Sequence, residues 1–334
     1  MTTPPGSNVW VVADGRPGNR SQCLGVAEAL GLPFRKIEVA YSALAALPDL
    51  ILGSSLLGIT AGTRRDLNPP WPGVVIGAGR RSAPIVRALR RRSRGRTFAV
   101  QLMDPGSHRG AFDMLVVPAH DRLADRPNLL VTTGPPHRIS ETSLGAAREL
   151  WAARLESLPP PRIAVLVGGT TRHTVFTPAM ARDLGRAVSA MAQTTPGSLM
   201  ISTSRRTGAA ASALFAEIGA PHHGFRWGDP SDNPYLGYLA MADAVIVTGD
   251  SASMCAEACA TGAPVYIYAP DGLATDKLKH MHRALYAGGY ARPLIDRLEH
   301  WQHPPLRPAD DVAAEIRRRC PALPWADTPT PTAP

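Results

Sequence analysis

The sequence predicts an α/β protein of two Rossmann-like, doubly wound domains facing a cleft. Three observations carry that expectation. Short β-branched and apolar runs alternate with glycine-bearing turns and helix-forming stretches along most of the chain. Its 334 residues are too many for one ordinary domain and comfortable for two. A proline block, Leu158-Pro159-Pro160-Pro161, interrupts the pattern near the middle. Three consecutive prolines stiffen a connection and can join neither a neighbouring helix nor a central strand. The expected division is therefore 1–157 and 162–320, with a proline- and threonine-rich tail, 321–334, expected to be disordered.

The first half opens with a strand, Val9 to Ala13, short and apolar enough to be buried on both faces. Asp14-Gly15-Arg16-Pro17-Gly18-Asn19 follows as a turn, and a helix is expected over about 21–30 with Ser21 as its cap. Gly15 and Gly18 either let the backbone approach a ligand or make a plain tight turn. Neither G-x-G-x-x-G nor a Walker lysine is present. Residues 34–39 and 50–52 read as short strands. The strand at 74–76 runs into Gly77-Ala78-Gly79-Arg80-Arg81-Ser82 and a helix over 83–92. Strands at 97–102, 112–117 and 129–132 come next, and a helix over about 140–156 closes the half.

The second half restarts with a buried strand, Arg162 to Val167, and the turn Gly168-Gly169-Thr170-Thr171-Arg172-His173. Thr177-Pro178 opens a helix reaching about residue 192. A strand over 198–202 ends in Thr203-Ser204-Arg205-Arg206-Thr207, before a short alanine-rich helix. Residues 232–241 look helical. The most informative stretch is 242–270, where a strand at Ala244 to Thr248 meets the turn Gly249-Asp250-Ser251. A helix over 251–261, stopped by Gly262, leads to a second strand at Val265 to Tyr268. Parallel strands joined by a helix form a right-handed crossover that places the helix start at the carboxyl edge of the sheet. Unpaired N–H groups and the helix dipole there suit a phosphate near Ser251 and Ser253. Glu257, four residues beyond Ser253, could offer its carboxylate to ribose hydroxyls. The plain alternative is an N-capped helix bearing a solvated glutamate.

Composition narrows the partners. The net charge of +9 favours anionic ones, such as nucleotides, phosphorylated sugars or anionic lipid. The densest basic run, residues 87–96, reads as a solvated helix end, with membrane attraction the lesser alternative. No aromatics interleave with its arginines, so nucleic acid is not expected as a partner. Four cysteines without a C-x-x-C pair fit buried reduced thiols and no zinc site. The N-terminus lacks the basic-then-apolar form of a signal peptide, and no apolar run is long enough to span a bilayer. The expected location is the cytoplasm, with peripheral contact at the inner membrane allowed for.

The pattern S-x-S-M-x-x-E-A-x-x-x-G-x-P between two apolar strands resembles the nucleotide-sugar half of B-type (GT-B) glycosyltransferases. Comparable segments occur in the N-acetylglucosaminyl transferase of peptidoglycan synthesis and in lipid A disaccharide synthase. The resemblance implies that the helix start meets a diphosphate and the glutamate a ribose. It gives Ser251, Ser253 and Glu257 those roles and puts Met254 in the same set. From about residue 8 to 301 the chain also resembles the Elm-type mitochondrial fission family. The likeness rests on W-V-x-x-D-G-R-x-G-N-x-x-Q-x-x-G-x-A-x-A-L, G-A-G-R-R-S-A-P, Q-x-M-D-P, V-G-G-x-x-R-H, T-S-R-R-T and N-P-Y-x-G-Y-L-A-x-A-D. Plant members of that family are linked to mitochondrial fission and a dynamin-related partner, a role not carried across here.

Gly168, Gly169, Arg172, Ser204, Arg205 and Arg206 follow the first two strands of the second half, hence its expected ligand edge. Guanidinium forks suit a diphosphate and neutralise charge on a departing nucleotide, though surface salt bridging is the ordinary alternative. Lys277, Lys279 and His280 begin a later helix that could face the same edge. Transfer of a sugar with inversion needs a base near the acceptor hydroxyl. The peptidoglycan transferase carries a histidine in its first glycine loop, where this chain has Asn19, which cannot take a proton. Asp14 and Asp104, both at strand ends, are the substitutes, each equally readable as a turn or capping carboxylate. Gly15, Gly18, Asn19, Gly79 and Arg80 complete the expected acceptor side. No D-x-D motif is evident, so no metal and no cofactor is expected, the nucleotide-diphosphate sugar being a substrate. The implied activity is a metal-independent glycosyltransferase with a lipid, glycan or cell-envelope acceptor. A sugar-nucleotide epimerase or hydrolase on the same fold, or a non-catalytic scaffold, stand as alternatives.

Overall fold

The computed structural model describes residues 8–321 and 323, so almost all of the tail expected to be disordered lies outside the described residues. In chain order the elements are β1 (Val9–Ala13), α1 (Pro17–Ala29), β2 (Phe34–Glu38), α2 (Asp49–Leu52), α3 (Ala61–Arg65), β3 (Val74–Ala78), α4 (Gly79–Arg92), β4 (Phe98–Leu102), β5 (Met114–Pro118) and β6 (Leu129–Thr132). They continue with α5 (Glu141–Trp151), β7 (Arg162–Val167), α6 (Pro178–Thr194), β8 (Ser198–Thr203), α7 (Ala210–Phe215), β9 (His222–Phe225) and α8 (Tyr235–Met241). The remainder are β10 (Ala244–Thr248), α9 (Ala252–Ala258), β11 (Val265–Tyr268), α10 (Asp276–Ala287), β12 (Arg292–Pro293) and α11 (Pro308–Arg319).

The chain divides into two compact units, one formed by residues up to 138 together with those from 307 on, the other by 139–306. In the first, six parallel strands run in the order β2-β1-β3-β4-β5-β6. The strands read as continuous apolar runs because both sheet faces are covered. Val9 and Val11 join Cys23, Val26 and Leu30 of the α1 region and Val312 and Ile316 of α11. Trp10 and Val12 point the other way, to Ile85, Val86 and Leu89 of α4. In the second unit the order is β12-β11-β10-β7-β8-β9, again all parallel. Ile163, Val165 and Val167 face α6 and α7, while Ala164 and Leu166 face Trp151, Tyr238 and the α9 and α10 side. The order reverses between β1 and β3 in one sheet and between β7 and β10 in the other. Such switch points leave a crevice at the carboxyl ends of the strands.

The fold departs from the sequence expectation in identifiable places. Helix α1 begins at Pro17, not near Ser21, since proline at the first helical position has its φ already set and needs no N–H partner. Residues 50–52 are not a strand but part of the helical turn α2, entered from Pro48 and ended by Gly53 at φ 50°. The edge strand β9 and the two-residue β12 were not expected; their glycine, histidine and proline content hides them. Helix α5, expected to close the first half, packs in the second unit. Its Trp151 lies edge-on to Tyr238 at 6.4 Å. Arg148 donates from Nε and Nη2 to the Ala240 carbonyl at 3.0 and 2.7 Å. The contact boundary thus falls at 138/139, ahead of the prolines. Helix α11 meanwhile returns to the first unit. No helix among the described residues is long and apolar enough to cross a membrane.

Candidate functional site

At the carboxyl edge of the second sheet, the turns after β7, β8 and β10 are joined through one carboxylate. Asp250 follows β10 and its side chain is fully buried (0% exposed). Its Oδ2 accepts from the Gly169 N–H at 2.9 Å and from Arg206 Nη1 at 2.7 Å. Its Oδ1 is buried with no hydrogen-bond partner among the described residues. The Gly168 N–H donates to Thr248 Oγ1 at 2.7 Å. Ser204 Oγ donates to the Gly168 carbonyl at 2.6 Å and Thr207 Oγ1 to the same carbonyl at 2.5 Å. A Cβ on residue 168 would stand 2.4 Å from Asp250 Oδ2, and one on residue 169 would meet the Arg206 carbonyl at 2.2 Å. Gly168 is therefore required by the packing of the turn against the carboxylate, and Gly169 by its approach to the backbone of the turn after β8.

That network redistributes the expected roles. Gly168, Gly169, Ser204 and Arg206 spend their polar groups on one another and on Asp250, so they shape the edge. Arg172 and Arg205 are exposed and make no ion pair with an acid among the described residues; Arg172 Nε lies 2.7 Å from His173 Nε2. Of the α10 set, Lys279 lies 3.8 Å from Asp276 on the helix surface.

Ser251 caps α9, its side chain accepting from the Met254 N–H at 3.5 Å. Ser253, Met254 and Glu257 are half-buried on the same short helix. Burial pushes the Glu257 carboxyl up to about 7, although the Tyr235 hydroxyl, donating to Oε2 at 2.6 Å, works the other way. Burial, then the Glu257 charge, raise the Tyr235 phenol well above its usual value, so it stays a neutral donor. Glu257 is thus not the solvated glutamate of the plain reading. Sequence reasoning missed Asp250 and Tyr235 as participants. Asp250 stands in the very turn singled out, but its 44-residue separation from Arg206 hid the pairing; Tyr235 lies in the N-P-Y-x-G-Y motif of the family likeness, which gave it no role.

In the first unit, Asp14 is buried at the end of β1. Its Oδ1 accepts from the Arg16 N–H at 2.6 Å and its Oδ2 from Asn19 Nδ2 at 3.1 Å. Gly79, at φ 74°, leaves room for Asn19, whose Nδ2 would lie 2.9 Å from a Cβ there. Asp14, Asn19 and Gly79 are therefore together where β1 and β3 end. Gly15 is exposed in the turn, and Gly18 is exposed within the first turn of α1. Arg80 is exposed and reaches the Leu47 carbonyl with Nη1 at 3.2 Å. Asp104 is held in a two-pronged pair with Arg109 at 2.7 Å for both bonds and accepts from the Gly106 N–H. The Arg109 hydrogen bonds outweigh burial and hold its carboxyl below the usual carboxylate range.

Two six-stranded parallel sheets, each flanked by helices and each with a reversal of strand order, define an α/β protein with the GT-B fold. The chain belongs to the mitochondrial fission ELM1 family, whose model matches residues 17–320. It is similar to the mitochondrial fission protein ELM1 of Arabidopsis thaliana, at 28% identity over 95% of this chain and 92% of that protein. Among solved structures it is similar to a UDP-GlcNAc 2-epimerase from Methanocaldococcus jannaschii, with 12% identity and a TM-score of 0.55 over 93% of this chain and 98% of that one. The glycotransferase of kitacinnamycin gives 13% identity and a TM-score of 0.51, over 96% of each chain. Likeness at these identities is one of fold.

Proposed function

We propose that this chain binds a nucleotide-diphosphate sugar through its second unit and transfers the sugar, without a metal, to a lipid, glycan or cell-envelope acceptor. The observation that supports the reading most is the edge built on Asp250. Its buried carboxylate holds the glycine turn and Arg206 in place, next to the cap of α9, while Arg172 and Arg205 pair with no acid among the described residues. Two exposed guanidinium groups at the carboxyl edge of the sheet suit a diphosphate and take over the charge neutralisation that a divalent ion would supply. Glu257 would then accept from the ribose hydroxyls. The GT-B fold, shared with an epimerase acting on UDP-GlcNAc and with a glycotransferase, agrees with this substrate class. Of the two carboxylates proposed as base, Asp104 is the weaker candidate, because the fork with Arg109 lowers its basicity.

A thermal-shift screen of UDP, GDP, ADP, CMP and their sugars tests the binding step. One nucleoside diphosphate should raise the melting temperature by several degrees, by the usual linkage of ligand to folded state, equally with and without EDTA. Arg205→Gln or Arg172→Gln should reduce the shift. If no nucleotide moves the melting temperature, the transferase reading fails. The non-catalytic scaffold reading then takes its place.

A further inference from the structure

Exposed large apolar side chains are not scattered evenly over the described surface. Leu44 (47% exposed), Leu50 (74%), Ile51 (64%) and Leu57 (51%) fall within one stretch of the first unit, between β2 and α3. The stretch is not a loose loop. Its ends meet in an antiparallel bridge between Tyr41 and Ile59, and the Ser42 N–H donates to the Gly58 carbonyl at 3.0 Å. Ala45, Leu52 and Leu56 point inward and are buried. From below it is fastened by Arg87, which donates to both oxygens of Asp49 at 2.6 and 3.1 Å and to the Gly53 carbonyl at 3.0 Å. Asp49, the one charged residue in 42–58, is thereby turned away from solvent. A rigid Ω-shaped segment consequently presents leucine and isoleucine outward and no charge of its own.

Its rim is cationic. Arg64 donates from Nη2 to the Leu56 carbonyl at 3.2 Å, and Arg80 donates from Nη1 to the Leu47 carbonyl at 3.2 Å. Both are exposed and neither has an ion pair among the described residues.

We infer that this segment is a peripheral docking surface for an anionic lipid bilayer. Leu44, Leu50, Ile51 and Leu57 enter the boundary between headgroups and acyl chains, and Arg64 and Arg80 lie at headgroup level. Charge decides the class of partner: arginines around an acid-free apolar patch complement anionic headgroups. Composition decides against a protein partner, since protein interfaces are anchored by tyrosine, tryptophan and methionine, and this patch has only leucine and isoleucine. The inference does not rest on nucleotide binding, so either can fail alone.

Co-sedimentation of the full chain with vesicles provides the test, using equimolar phosphatidylglycerol and phosphatidylcholine against phosphatidylcholine alone. The chain should bind the anionic vesicles and be released by salt. Leu50→Ser with Ile51→Ser should weaken that binding by about tenfold or more, and Arg64→Gln with Arg80→Gln by roughly tenfold. Melting temperatures of both double variants, whose side chains are exposed, report whether the fold is kept. Equal partition of wild type and the Leu50/Ile51 variant, or no preference for anionic vesicles, overturns the inference. So does concentration-dependent self-association in sedimentation velocity that the same variant abolishes, which would make the patch an interface between copies.

Discussion

Asp49→Ala should cost about 3–5 kcal/mol of stability, the range for removing one partner of a buried ion pair. The Arg87 side chain is 1% exposed and that of Asp49 5%, so the substitution strands a guanidinium away from water. Chemical denaturation monitored on the full chain measures the loss, and a loss below about 1 kcal/mol would remove the pair from the stability account. Asp49→Leu combined with Arg87→Met should cost much less than either change alone, because no charge is then left buried. Burial opposes ionisation of Asp49, but the hydrogen bonds from Arg87 and Ser107 outweigh it and hold the carboxyl below its ordinary value. A depressed carboxylate stabilises the fold above its unfolded pKa. That contribution is lost as pH falls through the lower, folded value, so the pair makes the first unit acid-sensitive.

For Glu257→Gln, affinity and stability should move in opposite directions. If the carboxylate meets the ribose, the variant binds nucleotide more weakly by roughly 1–3 kcal/mol, the scale of a hydrogen bond to a charged group. Isothermal titration with the nucleotide found in the screen reads this, and unchanged affinity in a folded variant would take Glu257 out of that role. The same residue lowers the stability of the ligand-free protein. Its pKa is raised in the fold from 4.5 to about 7, so stability is greatest below the lower value and declines as pH rises to the upper one. Above pH 7 the full cost is roughly 3 kcal/mol, since each tenfold change in proton affinity is worth about 1.4 kcal/mol. Glutamine abolishes that decline and should leave the variant more stable than wild type at pH 8. Wild-type nucleotide affinity should in turn rise with pH through about 7, as the carboxylate forms that accepts the ribose hydroxyls.

The strands were the most legible feature of the sequence. Val9–Ala13, Arg162–Val167 and Ala244–Thr248 are apolar because both faces of their sheets are covered, and their bounds can be read directly. Residues 50–52 show the limit of that logic. Three apolar residues satisfy a buried strand or one turn of helix equally, and here Pro48 and Gly53 on either side decide for the helix. The candidate site was legible in outline, because strand–turn–helix units put their turns on one edge. What its turns do was not. The ion pair of Asp250 with Arg206 and the hydrogen bond of Tyr235 to Glu257 join residues 44 and 22 positions apart, and no local periodicity encodes such contacts. The boundary at 138/139 escaped for the same reason: the face of α5 that matters meets α8, which comes 84 residues later at Tyr235.

Helix α11 fixes an order of events during synthesis. Val312, Ala313 and Ile316 complete the core face of Val9 and Val11, and Arg317 Nη2 donates to the Ala29 carbonyl at 2.6 Å. The first unit to leave the ribosome therefore waits, with one flank of its sheet uncovered, until the last helix has been made. The second unit is contiguous, residues 139–306, so it should mature first, reversing the usual amino-to-carboxyl sequence of domain folding. Limited proteolysis of ribosome-stalled chains ending at residue 306, extended by a linker long enough to clear the exit tunnel, would read that order. A resistant second unit beside a cleaved first one is the expected pattern. Protection of the first unit in such chains would show instead that its sheet closes without its final helix.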